Sequence, residues 1–409
     1  MNRVVHLSNI NPPVIPVGLQ MPSHDDIVDL HLKLSKFVEC RISIMPDCLR
    51  PEIERLLRSQ NNALAPSPCY YSCTDLEDAQ QELQVIREIV DMNQDSKTRQ
   101  RDENGWNSFV HTPLLNLAAP LATPTISQTL SAIVKSDDPA IIRRTPSPIT
   151  VRCEPMMSAT IMFDWIPRLQ GSSSAEPTLA CSVTSGRSLL SSNSSAVSDP
   201  SIPEQYQHTR VESNLVDYVF VLDLAADDPL QKVTEELLLR EMHLHIVQDV
   251  AKGLPPHLNQ TAYKAVWNSL IAVSIEAKYG TVSGDPLARL GIWVAAWHIR
   301  MKKLRFDRGL QVLSIPTTVA SITEPSSVAT LPPARLVSLP LILADGATWQ
   351  IYYACDCGDH IEISGPFQLG STLTLASTYQ LLACLRAIKE WVKVTFYKEM
   401  RRWFHCNEE

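Results

Sequence analysis

Glycine is scarce in this chain. Only 13 glycines occur among 409 residues, against 29 prolines, and none of them sits in G-x-G-x-x-G, G-x-x-x-x-G-K-[ST] or G-x-S-x-G. H-E-x-x-H is missing as well. Dinucleotide, P-loop, esterase and zinc-protease chemistries each need one of those backbone or ligand spacings, so they lose their basis. Long hydrophobic runs are also lacking. No stretch of eighteen apolar residues appears, and the opening Met-Asn-Arg-Val-Val-His-Leu-Ser-Asn-Ile has no apolar segment after it. The expectation is an intracellular, unanchored protein with no membrane partner, nuclear or cytoplasmic. Basic charge is not in excess: 36 Lys and Arg against 44 Asp and Glu leave a net charge of −8. Net charge therefore does not support a nucleic-acid partner, which would have to be met by local basic patches. The ten cysteines are scattered without the dense spacing of a disulfide scaffold, which fits a reducing compartment. Nothing in the sequence specifies an oligomeric state.

What is there is ordinary globular material, 44% apolar and 20% charged. Residues 1–24 hold four prolines and read as an irregular lead-in. Ile27, Leu30, Leu34 and Phe37, then Ile53, Leu56 and Leu57, predict a short helical hairpin. Thr74-x-x-Glu77 reads as a capping box opening a helix over 75–95, with Leu76, Ala79, Leu83, Ile86 and Val90 as its apolar stripe. A further helix should include Glu103, Trp106, Asn107 and Val110. Residues 171–200 contain eleven serines and no aromatic residue, a composition that cannot offset chain entropy by burial, so a disordered insertion is expected over 171–205. Leu215 to Leu222 and Leu270 to Glu276 read as buried strands. Helices are expected around 229–250, over 286–304 (amphipathic, with Leu290, Trp293, Val294 and Trp297 inward) and over 373–404, with a loop at 316–335. Strands at 336–343 and 348–355 flank Asp345-Gly346, a hairpin dipeptide, and Pro340 predicts an edge position or a bulge for the first of them. This divides the chain into an irregular and helical extension (1–74), one main domain (75–404) and a tail (405–409).

Charge at the end of an apolar strand is the feature that points to chemistry. In Glu276-Ala277-Lys278, strand alternation puts the carboxylate and the ammonium on one face, about 7 Å apart. If Asp217 lies on a neighbouring strand, its carboxylate joins Glu276 around one hard cation such as Mg²⁺. The trio could then activate water against a phosphodiester, with Lys278 orienting the water or stabilising the pentavalent state. E-x-K alone is weak, because such triplets usually mark solvated strand ends. Asp223, Asp227 and Asp228 keep the identity of the acidic partner open at this point.

Several strings occur in order: Glu103-x-x-Trp106-Asn107-x-x-Val110-His111-x-Pro113-Leu114-Leu115; Val216-Asp217-Tyr218; Ile271 to Lys278; Leu290-Gly291-Ile292-Trp293-Val294-Ala295-Ala296-Trp297-His298; Leu339-Pro340-Leu341-Ile342; and Gly370-Ser371-Thr372 with Tyr379-Gln380-Leu381-Leu382. Together they resemble the fungal PD-(D/E)XK nuclease-like domain proteins over roughly residues 75–404. The resemblance implies an α/β restriction-endonuclease-like core, a mixed central sheet flanked by helices. It implies Asp217, Glu276 and Glu103 as ligands of Mg²⁺ or Mn²⁺, with Glu103 arriving from the preceding helix, and Lys278 as the catalytic lysine. Arg289 departs from the Gln common at that position and could contact phosphate.

Other signals are read as structural. Cys355-x-Cys357-x-x-His360 lacks a second ligand pair at zinc spacing. His243 and His245 cannot share a helix face. Arg300, Lys302, Lys303, Arg305 and Arg308, and the basic residues of the last helix, read as solvated faces. The tryptophans fall on apolar stripes. Three functions compete: a metal-dependent nuclease on DNA or RNA, a catalytically silent nuclease-like fold used for binding or regulation, and an accessory protein of specialised metabolism.

Overall fold

Nine consecutive residues, Leu270–Lys278, are buried, and they form an interior strand of a seven-stranded sheet. The structure, a computed structural model, describes residues 7–18, 22, 24–59, 66–119, 149–169, 216–247, 256–280, 285–309 and 335–406. The expected insertion at 171–205 and most of the 316–335 loop lie outside them. In chain order the strands are β1 (Val14–Val17), β2 (Thr150–Pro155), β3 (Tyr218–Asp223), β4 (Leu270–Lys278), β5 (Leu339–Asp345), β6 (Thr348–Asp356) and β7 (Ile361–Ser371). Across the sheet they run β1-β7-β6-β5-β4-β3-β2. The β4–β5 and β7–β1 pairs are parallel and the others antiparallel, so the sheet is mixed. β4 is apolar along most of its length because it is covered on both faces, the usual pattern for interior strands next to a parallel crossover.

Three strands depart from the expectations above. β1 comes from the supposed irregular lead-in and pairs Val14 with Ile361 through Val17 with Ser364. Its Pro16 is tolerated because β1 is an edge strand. β7 hides its alternation behind register shifts against β6 and behind Gly365, whose φ of +137° and close approach to Tyr352 leave no room for a Cβ atom. Pro340 does not mark an edge or a bulge: β5 lies between β4 and β6 with regular pairing on both sides. The parallel ladder to β4 begins only at Leu341, so the missing Pro340 N–H costs that ladder nothing. The β5–β6 turn residues are Gly346 and Ala347, with Asp345 still paired to Thr348 and Gly346 at φ +52°.

Helices α1 (Asp25–Glu39), α2 (Arg50–Ser59) and α3 (Leu76–Thr98) come before the strand β2. Asp75, and not Thr74, caps α3, its Oδ1 accepting from Asp78 N–H at 3.0 Å. This turns Leu76 outward and leaves Ala79, Leu83, Ile86 and Ile89 as the buried stripe. Next, α4 (Glu103–Trp106), a π-helical turn (Asn107–His111) and α5 (Thr112–Ala118) run on continuously. α6 (Pro229–Val247) and α7 (Pro286–Asp307) flank β4 in sequence, and the chain ends in α8 (Leu375–Trp391), a second π-helical turn (Val392–Phe396) and α9 (Tyr397–Trp403). α8 packs on β7 and gathers α1, α3 and α5 around it, while α7 packs on β4 and β5. α7 is buried nearly all round and is not amphipathic. Leu7 and Val14 close over its Gly291, and Trp165 stacks under the Arg300 guanidinium. Arg300 and Arg305 are therefore buried, and not on a solvated face. Trp106, Trp293, Trp297, Trp391 and Trp403 are all core residues.

Candidate active site

The buried end of β4 carries two charges. Glu276 is 2% exposed and Lys278 6%, and both share the parity of Ser274, whose hydroxyl accepts from the α7 residue Trp293. Asp217 immediately precedes β3, yet its backbone already belongs to the sheet: its N–H donates to Ile275 O (2.9 Å) and its carbonyl accepts from Met156 N–H (2.7 Å). That pairing aims the side chain along β4. Asp217 Oδ2 accepts from Ala277 N–H at 2.7 Å, on the residue between Glu276 and Lys278. Asp223, the competing candidate by parity, is held elsewhere by Arg152 and Ser269, at 2.6 Å each.

The third side of the site is the helix opened by Asp102, whose Oδ1 caps Gly105 N–H at 2.9 Å. Glu103, Asn107 and His111 follow at intervals of four, which brings them towards one side. Asn107 Nδ2 lies 3.5 Å from Asp217 Oδ1, and His111 spans Asn107 Oδ1 (2.8 Å) and the Gly346 carbonyl (2.8 Å). A carbonyl only accepts, so His111 Nε2 donates to Gly346. Burial pushes the His111 pKa down to about 4. The Asn107 amide presents its NH₂ to Asp217, where that donor favours the charged carboxylate. Asn107 thus links the two titrating groups. The π-helical turn at Asn107–His111 is tied down by Tyr218, whose hydroxyl donates to Asn107 O (3.2 Å) and lies 2.9 Å from Thr112 Oγ1. Trp106 stacks on Tyr279 just beyond Lys278, with ring centroids 4.9 Å apart.

These placements gather three carboxyl groups beside the Arg289 and Lys278 cations. Burial pushes the Asp217 carboxyl up to about 6, with Glu103 adding to the rise and the Ala277 hydrogen bond opposing it. Burial pushes Glu276 up to about 8; the Asp217 and Glu103 charges add to the rise, while Arg289 and Lys278 oppose it. Arg289, in the first turn of α7, donates from Nη1 to Glu276 Oε1 at 2.9 Å.

The family model of the PD-(D/E)XK nuclease superfamily matches residues 54–397. The chain belongs to that superfamily. No curated protein and no solved structure matches it. The mixed seven-stranded sheet with flanking helices is the restriction-endonuclease-like fold of the PD-(D/E)XK proteins.

Nucleases of the PD-(D/E)XK superfamily generally use divalent metals, and the donor set here suits one. Asp217 and Glu276 offer hard oxygen ligands whose mutual repulsion a cation would relieve. Among the described residues no group of three or more His, Cys, Asp and Glu side chains forms a ready-made cage. Glu103 is half-buried and acts on both carboxylates through space without completing such a cage with them. An ion would therefore be held by two carboxylates, water and substrate phosphate, the usual mode for Mg²⁺. Asn107, His111 and Tyr218 were not singled out from the sequence as site residues. The four-residue spacing of Asn107 and His111 from Glu103 was the available signal, but the π-helical turn that aims them was not readable.

The remaining signals are structural. Cys355 is buried, Cys357 donates to Cys355 O and Glu362 at 3.9 Å, and His360 lies 2.7 Å from Asp359. His243 lies on an exposed stretch of α6, while the side chain of His245 is outside the described residues. Of the basic stretches, Arg300 pairs with Glu241, Lys302 with Asp356, Lys303 with Asp307, Arg386 with Glu82 and Arg402 with Glu399. Among the described residues no helix is long and apolar enough to cross a membrane.

Proposed function

We propose that this PD-(D/E)XK protein is a divalent-metal-dependent nuclease that hydrolyses phosphodiester bonds of DNA or RNA. Asp217 and Glu276 would hold Mg²⁺ or Mn²⁺, with Glu103 adding negative charge from α4. The observation that carries the reading is the 2.7 Å bond from Ala277 N–H to Asp217 Oδ2, which fixes the aspartate carboxylate against the Glu276-Ala277-Lys278 strand end. The bound ion would lower the pKa of its water and neutralise charge on the phosphoryl oxygens. Lys278 supplies a buried positive charge beside Glu276, able to orient the attacking water or stabilise the pentavalent phosphorus. Asn107 steadies Asp217. The finer likeness to fungal nuclease-like proteins rests on the strings of motif residues.

The test is cleavage of supercoiled, linear and single-stranded DNA and of RNA with Mg²⁺ or Mn²⁺. Wild type should cleave, and Glu276→Gln and Lys278→Ala should each lower the rate by about 10²-fold or more. Equal background from all three proteins would remove the enzyme reading. A binding or regulatory module then takes its place. Two observations favour that reading: the Arg289–Glu276 ion pair inside the site, and the engagement of so many basic side chains with acidic partners of the same chain.

A further inference from the structure

A cation already sits on the carboxylate that the proposed chemistry needs. Glu276 is buried, and its Oε1 accepts from Arg289 Nη1 at 2.9 Å. The guanidinium is the more exposed partner, its side chain 20% accessible against 2% for Glu276. It reaches the site from the start of α7, where Asp285 caps Leu287 N–H at 2.9 Å and Pro286 begins the helix. An arginine does not lose its proton in a protein, so this positive charge leaves Glu276 only by moving. A divalent ion bound to Glu276 would lie beside that fixed charge and compete for the same oxygen. A phosphodiester offers the guanidinium a better-matched partner, because paired phosphoryl oxygens fit its fork of N–H donors.

We infer that Arg289 gates ion binding: its guanidinium holds the Glu276 oxygen that a divalent cation requires, and a phosphodiester admits the cation by drawing the guanidinium to itself. The inference rests on the proposed nuclease site and adds its regulation. Metal and polyanion then bind cooperatively, and the coupling is reciprocal: whatever factor the substrate adds to metal affinity, the metal adds to substrate affinity.

The test reads metal binding and not turnover. Mn²⁺ alone is titrated into the full-length, metal-stripped protein, with free Mn²⁺ followed by electron paramagnetic resonance. Arg289→Gln should bind Mn²⁺ about tenfold or more tighter than wild type, a factor within the usual range of coupling between sites. Arg289→Lys, which keeps a charge, should stay near wild type, and Asp217→Asn should weaken binding in either background. A single-stranded phosphorothioate oligonucleotide, with its own Mn²⁺ binding subtracted, should tighten Mn²⁺ binding by wild type by a clearly larger factor than by Arg289→Gln, where only direct ligation of the ion by phosphate remains. Thermal melts confirm that each variant is folded. If wild type and Arg289→Gln bind Mn²⁺ equally while Asp217→Asn binds it weakly, the gate is wrong and the two-carboxylate site stands. If no variant binds Mn²⁺, the gate and the nuclease reading fall together.

Discussion

Asp217 and Glu276 are carboxyl groups that hold protons more tightly in the folded chain than in the unfolded one, because burial penalises the charged forms, Glu103 adds to both rises and Asp217 adds to that of Glu276. A carboxyl whose folded pKa is raised contributes stability that is fully present below its unfolded pKa and is lost as pH rises through the folded value. For Asp217 that window runs from its ordinary value of 3.8 to about 6, and for Glu276 from 4.5 to about 8. Metal-free protein should therefore lose thermal stability between about pH 4 and 8. Glu276→Gln should flatten most of the upper part of that slope. Melting temperatures measured in a chelator across this range check the sign: a midpoint that rises with pH would contradict the burial of these groups. E-x-K and its parity were legible at this scale. The identity of the acidic partner was not, since Asp223 had equal claim until Arg152 and Ser269 were seen to hold it.

Among the elements, the π-helical turn at Asn107–His111 decides how α4 meets the sheet. Its extra residue lets Thr112 N–H reach Asn107 O, and the Tyr218 hydroxyl adds a second bond to that carbonyl from β3. Tyr218→Phe removes this bond and the partner of Thr112 Oγ1. It should cost about 1–2 kcal/mol in urea denaturation. The proposed cleavage rate should fall with it, because Asn107 and Glu103 ride on the same helix. An unchanged denaturation midpoint would show that the hydroxyl does not hold the turn. Helical periodicity reads i, i+3 and i+4 contacts, so a one-residue insertion in a helix leaves no mark in the pattern. The edge strand β1 escaped for a related reason: four residues containing a proline carry too little alternation to stand out.

For the molecule as a whole, Arg300 joins parts that are distant in sequence. From buried α7 it donates to both Glu241 oxygens on α6 (3.0 and 2.7 Å) and to the His257 carbonyl (2.9 Å), with its guanidinium over Trp165. Arg300→Ala leaves Glu241 and that carbonyl without their partner, and should destabilise the fold by about 3–5 kcal/mol in chemical denaturation. Arg300→Lys should recover only part of the loss, because an ammonium cannot bridge both carboxylate oxygens in a planar fork. A loss below about 1 kcal/mol for Arg300→Ala would mean that water replaces the pair.

The sequence by itself determined the buried strands β3 and β4, the existence of the helices around them, and the parity that places Glu276 beside Lys278. These follow from local periodicity and from burial acting on neighbouring residues. Only the tertiary structure decided which aspartate meets Glu276, that Arg289 lies on its carboxylate, that β1 joins the sheet far from its own neighbours in the chain, and that α7 is buried nearly all round. Each of those depends on contacts between separate elements, from 13 to several hundred residues apart, and no pattern within a single segment records the charge or shape of what will pack against it.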